Sequence, residues 1–323
     1  MLLLLYTILL HLGFLIVGIK ASAPVDYSFA GLYFAEWLVR PHITFWMQFI
    51  DILTLFWEAI FFNYIFTSNR LFSRSTHIPA FIFITLSSCF GDWMVFNVEM
   101  VARLFLLLSL YNLFALFEKD LSRENIFYTS LYLSIGCLFY FPIIVFLPII
   151  LGGLFFRSYS LRDFLLILIG FLFPFYVMGI GFYFKNMLKD YLFHLAKIFT
   201  PKTLLFDLSI AEMSFLIFIL FLAIYGYILL RADSEYNVIK KGRLFNLVLI
   251  YLLIVIAGAP FILNHQLSYL RLLILPVSVF ASRIFDRDNL NYFQIALFCV
   301  LAAGILFFQA DFFGIIQVPG IEF

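Results

Sequence analysis

Charge is what this sequence has least of. Only 12% of its residues are charged, against about 25% in a soluble domain. The net charge of +1 leaves no basic footprint for nucleic acid. Cysteine is scarce too. Cys89, Cys137 and Cys299 sit singly in apolar runs, so neither a disulfide framework nor metal-ligand spacing can be read. Each is expected to be a small buried apolar residue. The five histidines, His11, His42, His77, His194 and His265, are scattered, and there is no HExxH, P-loop or GxSxG. No motif points to a metal or any other cofactor; a divalent cation at an acidic site stays open.

What is present is apolar surface. Hydrophobic residues make up 65% of the chain, 46 of them Phe, and the mean hydropathy is +1.08. A charge left in hydrocarbon costs roughly 2.5–3.5 kcal/mol even on the mildest scale, so this composition suits a bilayer. The expected fold is all-α: residues 1–323 as one polytopic transmembrane bundle of about ten or eleven segments. Apolar runs place them near 2–19, 44–66, 78–91, 98–117, 127–140, 142–156, 163–184, 211–230, 244–260, 268–284 and 291–309. The first run, followed by Ala21-Ser22-Ala23, resembles a signal peptide, but no Lys or Arg precedes it, and it reads as a membrane helix. The two short runs meet at Phe141-Pro142, where proline breaks a helix. They form one broken span or a hairpin that dips in and returns.

Loop charges give an orientation. Arg70, Arg74, Lys119, Arg123, Arg157, Arg162, Arg231, Lys240, Lys241, Arg243, Arg283 and Arg287 fall on one side if 127–156 is a returning hairpin. Lys20, Arg40, Lys185, Lys189, Lys197 and Lys202 fall on the other. The richer side is expected in the cytoplasm, with the N-terminus. The outer face then carries the long connections 20–43 and 185–210. Within them, Phe29–Leu38 and Tyr191–Ile198 read as interfacial helices, either ordinary anchors or a roof over a lipid-facing site.

Ionisable residues at membrane depth are the best clues to a site. The second span carries Asp51 and Glu58, seven apart and so on one helix face. Arg103 and Arg271 are candidate partners. The arrangement is either a buried ion pair that holds the bundle or a polar cavity for a charged substrate.

Two stretches carry a resemblance. Tyr128 to Tyr176 contains Gly136, Tyr140, Pro142, Pro148, Arg157 and Arg162, and His265 to Arg283 contains Arg271 and Pro276. Both resemble GT-C-class glycosyltransferases, which use polyprenyl-phosphate-linked sugars. The first stretch, with the run Leu138 to Phe141, resembles more closely an uncharacterised family of bacterial inner-membrane proteins. The resemblance implies location in the bacterial cytoplasmic membrane and sugar transfer from a polyprenyl-phosphate donor at its outer face. It implies an acid in the first outer loop, where Asp26 and Glu36 stand, and a further acid, Asp92, in the second. No adjacent acid pair occurs in 20–43. Arg271, Arg103, Lys185 and His265 are then the groups to meet the lipid phosphate. Two other readings stand beside this one. The chain is a non-catalytic scaffold or subunit of an envelope assembly or export complex, or it is a transporter or flippase using Asp51 and Glu58. Its expected partners are membrane lipids, a polyprenyl-phosphate sugar and other membrane subunits.

Overall fold

The computed structural model describes residues 2–13, 44–69, 71, 76–94, 97–117, 123–155, 160–189, 191–193, 209–232, 239–259, 269–286 and 291–313. These form eleven α-helices and no strand. In chain order they are α1 (Leu2–Leu10), α2 (Thr44–Ser68), α3 (Ile78–Ser87), α4 (Val98–Ala115), α5 (Arg123–Phe139), α6 (Leu147–Phe155), α7 (Leu161–Phe184), α8 (Ile210–Arg231), α9 (Ile239–Gly258), α10 (Ile274–Phe285) and α11 (Tyr292–Phe312). Short 3-10 turns cover Gly91–Met94, Phe141–Phe146 and Arg271–Leu273. Every expected apolar segment overlaps one of these helices, but fewer of the described helices qualify as membrane spans than the ten or eleven expected. Six of them (α2, α4, α7, α8, α9 and α11) are long and apolar enough to cross a membrane. The remaining five are shorter, and α6 and α10 each continue a 3-10 turn. The chain is a multi-pass helical membrane protein.

Helix pairs fix the direction of each pass. We call the end where α1 finishes and α2 begins the upper end. Helices α2 and α4 run downward together: the Glu58 carboxylate pairs with Arg103, and further along Phe66 packs on Phe114 at 5.7 Å. Helix α5 climbs antiparallel to α4, with Ser109 Oγ donating to the Thr129 carbonyl at 2.8 Å and the Phe105 and Phe139 rings stacked at 5.8 Å. Tyr140 then turns extended and caps a 3-10 turn that opens with Phe141-Pro142, because proline has no N–H for the α5 ladder and its ring clashes with the preceding helical turn. The segment comes back down. Val145 lies near Gly258 at the top of α9, and Gly153 lies near Leu113 and Leu247, far below. Residues 123–155 therefore form the returning hairpin. Among described residues, Arg123, Arg162, Arg231, Lys241, Arg243 and Arg283 all stand at or near lower helix ends, and Lys185 and Lys189 follow the upper end of α7.

The bundle is layered from centre to rim. Helix α10 is buried along nearly its whole length. It packs on α8 so closely that a Cβ at Gly226 would collide with the Phe280 carbonyl, the small-residue contact that draws membrane helices together. Helix α7 is at the rim; only 17% of its most apolar window is buried. Cys89 and Cys137 are buried as expected, but Cys299 is exposed, because it lies on the outward flank of α11.

Candidate functional site: a buried charged cluster

The functional residues start from one helix face. On α2, Gln48, Asp51, Leu55, Glu58 and Phe62 recur at helical spacing and all are buried. The upper part of this stripe is polar. Asp51 Oδ2 lies 3.3 Å from His11 Nε2 of α1's last turn. His11 Nδ1 lies 2.9 Å from the Thr7 carbonyl. A carbonyl only accepts, so that nitrogen carries the proton.

About two turns below, Glu58 Oε2 accepts from Arg103 Nε at 2.8 Å and lies 2.5 Å from Arg103 Nη2. Both side chains are almost wholly buried. The Arg103 guanidinium also sits 5.4 Å over the Phe83 ring, a cation–π contact. Arg271 enters from the other side of the bundle, on the 3-10 turn that opens α10. It is 3% exposed, and its Nη2 donates to the Trp93 carbonyl in a short hydrogen bond. Its charge is felt by Arg103, Glu99, Asp51 and Glu58. Glu99 stands in the first turn of α4, where Asn97 caps the helix by accepting from the Val98 N–H at 2.7 Å. Asp311 and Gln309, near the top of α11, complete the upper layer. Gln309 Nε2 approaches Met94 Sδ at 3.2 Å and the Leu10 carbonyl at 3.5 Å.

Several charged atoms in this layer are left without a hydrogen bond from described residues: Asp51 Oδ1, Glu58 Oε1, Arg103 Nη1 and Arg271 Nε. A buried polar atom left unsatisfied costs about 1–3 kcal/mol. Native structures satisfy nearly all such atoms, with protein groups, ordered water, an ion or a ligand. Below Glu58 the character changes. Phe62, Phe66 and Phe83 close the interior, with Phe62 4.7 Å from Phe66 and 4.9 Å from Phe83. The charged cluster rests on an aromatic floor.

The expected site residues fall into three groups. Asp51, Glu58, Arg103 and Arg271 are brought together. Asp26, Glu36 and His265 lie outside the described residues, and of Asp92 only the backbone, in the turn Gly91–Met94, is described. Lys185 is exposed just beyond the upper end of α7. Tyr191, in the segment expected at the interface, is buried and donates to the Phe175 carbonyl at 3.2 Å; burial raises its phenol above the usual range. His11 and Asp311 were not read as site residues from sequence. The signal for His11 was there: an ionisable residue inside an apolar run. Asp311 gave none, since it follows the expected end of the last span. Among the described residues no group of His, Cys, Asp and Glu could hold a metal ion.

A polytopic helical bundle with a buried, incompletely satisfied charged layer at one end defines the class. Residues 6–316 match the model described as a family of unknown function (DUF6427), and the chain belongs to that family. No curated protein and no solved structure matches it.

Proposed function

We propose that the chain is a GT-C-like transferase of the bacterial cytoplasmic membrane, moving a sugar from a polyprenyl-phosphate donor at the outer face. The upper end of the bundle is that face, because the described lower helix ends carry more Arg and Lys. One observation carries the reading: Arg103 and Arg271, from separate elements, converge in the upper layer, and each keeps a buried N–H without a hydrogen-bond partner among described residues. Guanidinium groups in a dry site suit a leaving phosphate. The upper end is also where the connection bearing Asp26 and Glu36 leaves α1, and where the turn bearing Asp92 lies.

One of these carboxylates takes the proton from an acceptor hydroxyl. The oxygen forms a bond to the sugar's anomeric carbon, and the bond from that carbon to the phosphate oxygen breaks. The electron pair leaves on the polyprenyl phosphate, whose charge Arg271 and Arg103 offset. A divalent cation beside the outer acids would be a compatible addition.

The aromatic floor favours this reading over a transporter. Asp51 and Glu58 are followed on their face by Phe62, Ile65 and Phe66, and a polar residue returns only at Asn69, at the lower end. The closed Glu58–Arg103 pair supports the second reading, a scaffold in an envelope complex whose charges only join helices. Mass spectrometry of lipids and glycans in cells with and without the gene separates the two. Transfer predicts accumulation of a lipid-linked sugar and loss of its product, both reproduced by Arg271→Met; an unchanged profile defeats it.

A further inference from the structure

At the lower end, away from the charged cluster, α5 and α7 run parallel. Arg123 at the foot of α5 approaches Asp163 at 3.8 Å. The contact is to Oδ1, while Asp163 Oδ2 accepts from the Ser160 N–H and Oγ in a capping box. Between the two feet lies a cleft of about 540 Å³ lined by Arg123, Glu124, Tyr128, Arg162, Leu165 and Ile169, among others. Its charged lining is net positive, two arginines against one glutamate. Arg162 forms no ion pair with a described residue.

The cleft does not end at its polar mouth. Leu165, Ile169, Leu172, Phe173 and Tyr176 continue up one flank of α7 at helical spacing, each more than half exposed. An occupant therefore meets two guanidiniums first and a long bare apolar stripe beyond them. A soluble anion would leave the stripe uncovered, and a neutral lipid would leave the arginines unanswered.

We propose that this cleft binds the headgroup of an anionic glycerophospholipid, its phosphate on Arg123 and Arg162 and an acyl chain along the α7 stripe. The site is separate from the charged cluster and does not depend on the function proposed above.

The test is native mass spectrometry of the full chain, delipidated in mild detergent and titrated with phosphatidylglycerol, phosphatidylcholine of the same chains, or inorganic phosphate. The expected result is preferential retention of phosphatidylglycerol, weakened roughly thirtyfold in R123A/R162A. I169W, which fills the apolar floor and keeps both arginines, weakens it as well, and carries the test if the double variant does not fold. Equal retention of the two lipids, retention untouched by either folded variant, or displacement of the lipid by millimolar phosphate would overturn the proposal.

Discussion

Helix α2 buries two different interiors on one face. In its upper part Asp51 and Glu58 are fully buried and meet His11 and Arg103. In its lower part Phe62, Ile65 and Phe66 are as deeply buried and meet rings. The boundary falls within one turn, between Glu58 and Phe62. Aromatic packing thus joins these helices in the lower half. The upper charges, each costly in a membrane, need another reason to be there. Their unsatisfied atoms point to a task.

Removing one charge is the severest way to break this division. Arg103→Met should leave Glu58 buried without its cation and cost about 3–5 kcal/mol, read as a large drop in the melting temperature of the purified protein. The double change Glu58→Met, Arg103→Met should recover most of that loss and still lack function. A double variant that functions normally would make the pair purely structural. In the aromatic half, Phe62→Ala should cost about 3 kcal/mol through the cavity it leaves, whereas Phe62→Leu should cost well under half as much and keep function. A failure of Phe62→Leu to function while folded would extend the site below the floor.

Gly226→Ala tests whether close helix contact holds the lower bundle. Its methyl group would strike the Phe280 carbonyl, and backbone cannot yield as a side-chain tip does. A loss of about 1–3 kcal/mol is expected in thermal unfolding. The smallest effect is Tyr191→Phe, which removes one hydrogen bond at the upper rim and should cost about 1 kcal/mol or less, leaving both halves unchanged by the same measurement.

Much of this was legible because membrane physics writes itself into composition. Continuous apolar runs located the eleven described helices, six of them long and apolar enough to cross a membrane, and Phe141-Pro142 located the break, because proline's geometry is local. The seven-residue spacing put Asp51 and Glu58 on one face, and Arg103 was a candidate partner. What spacing could not supply was contact between distant elements. His11 is 40 positions from Asp51, and nothing local tells that α1 ends against α2. The turn that delivers Arg271 to the Trp93 carbonyl crosses 178 positions. The Phe62–Phe83 floor was equally hidden, since 46 phenylalanines give no hint which of them stack.

The central claim is that the upper charged layer receives a lipid phosphate. Binding of a short-chain polyprenyl phosphate to the purified full chain, measured by native mass spectrometry for wild type and Arg271→Met, tests it most directly. Binding at least about tenfold weaker in the variant, equivalent to the loss of one charge-assisted contact, in a protein that still unfolds cooperatively, is the predicted result. Equal binding by both folded proteins would contradict the claim.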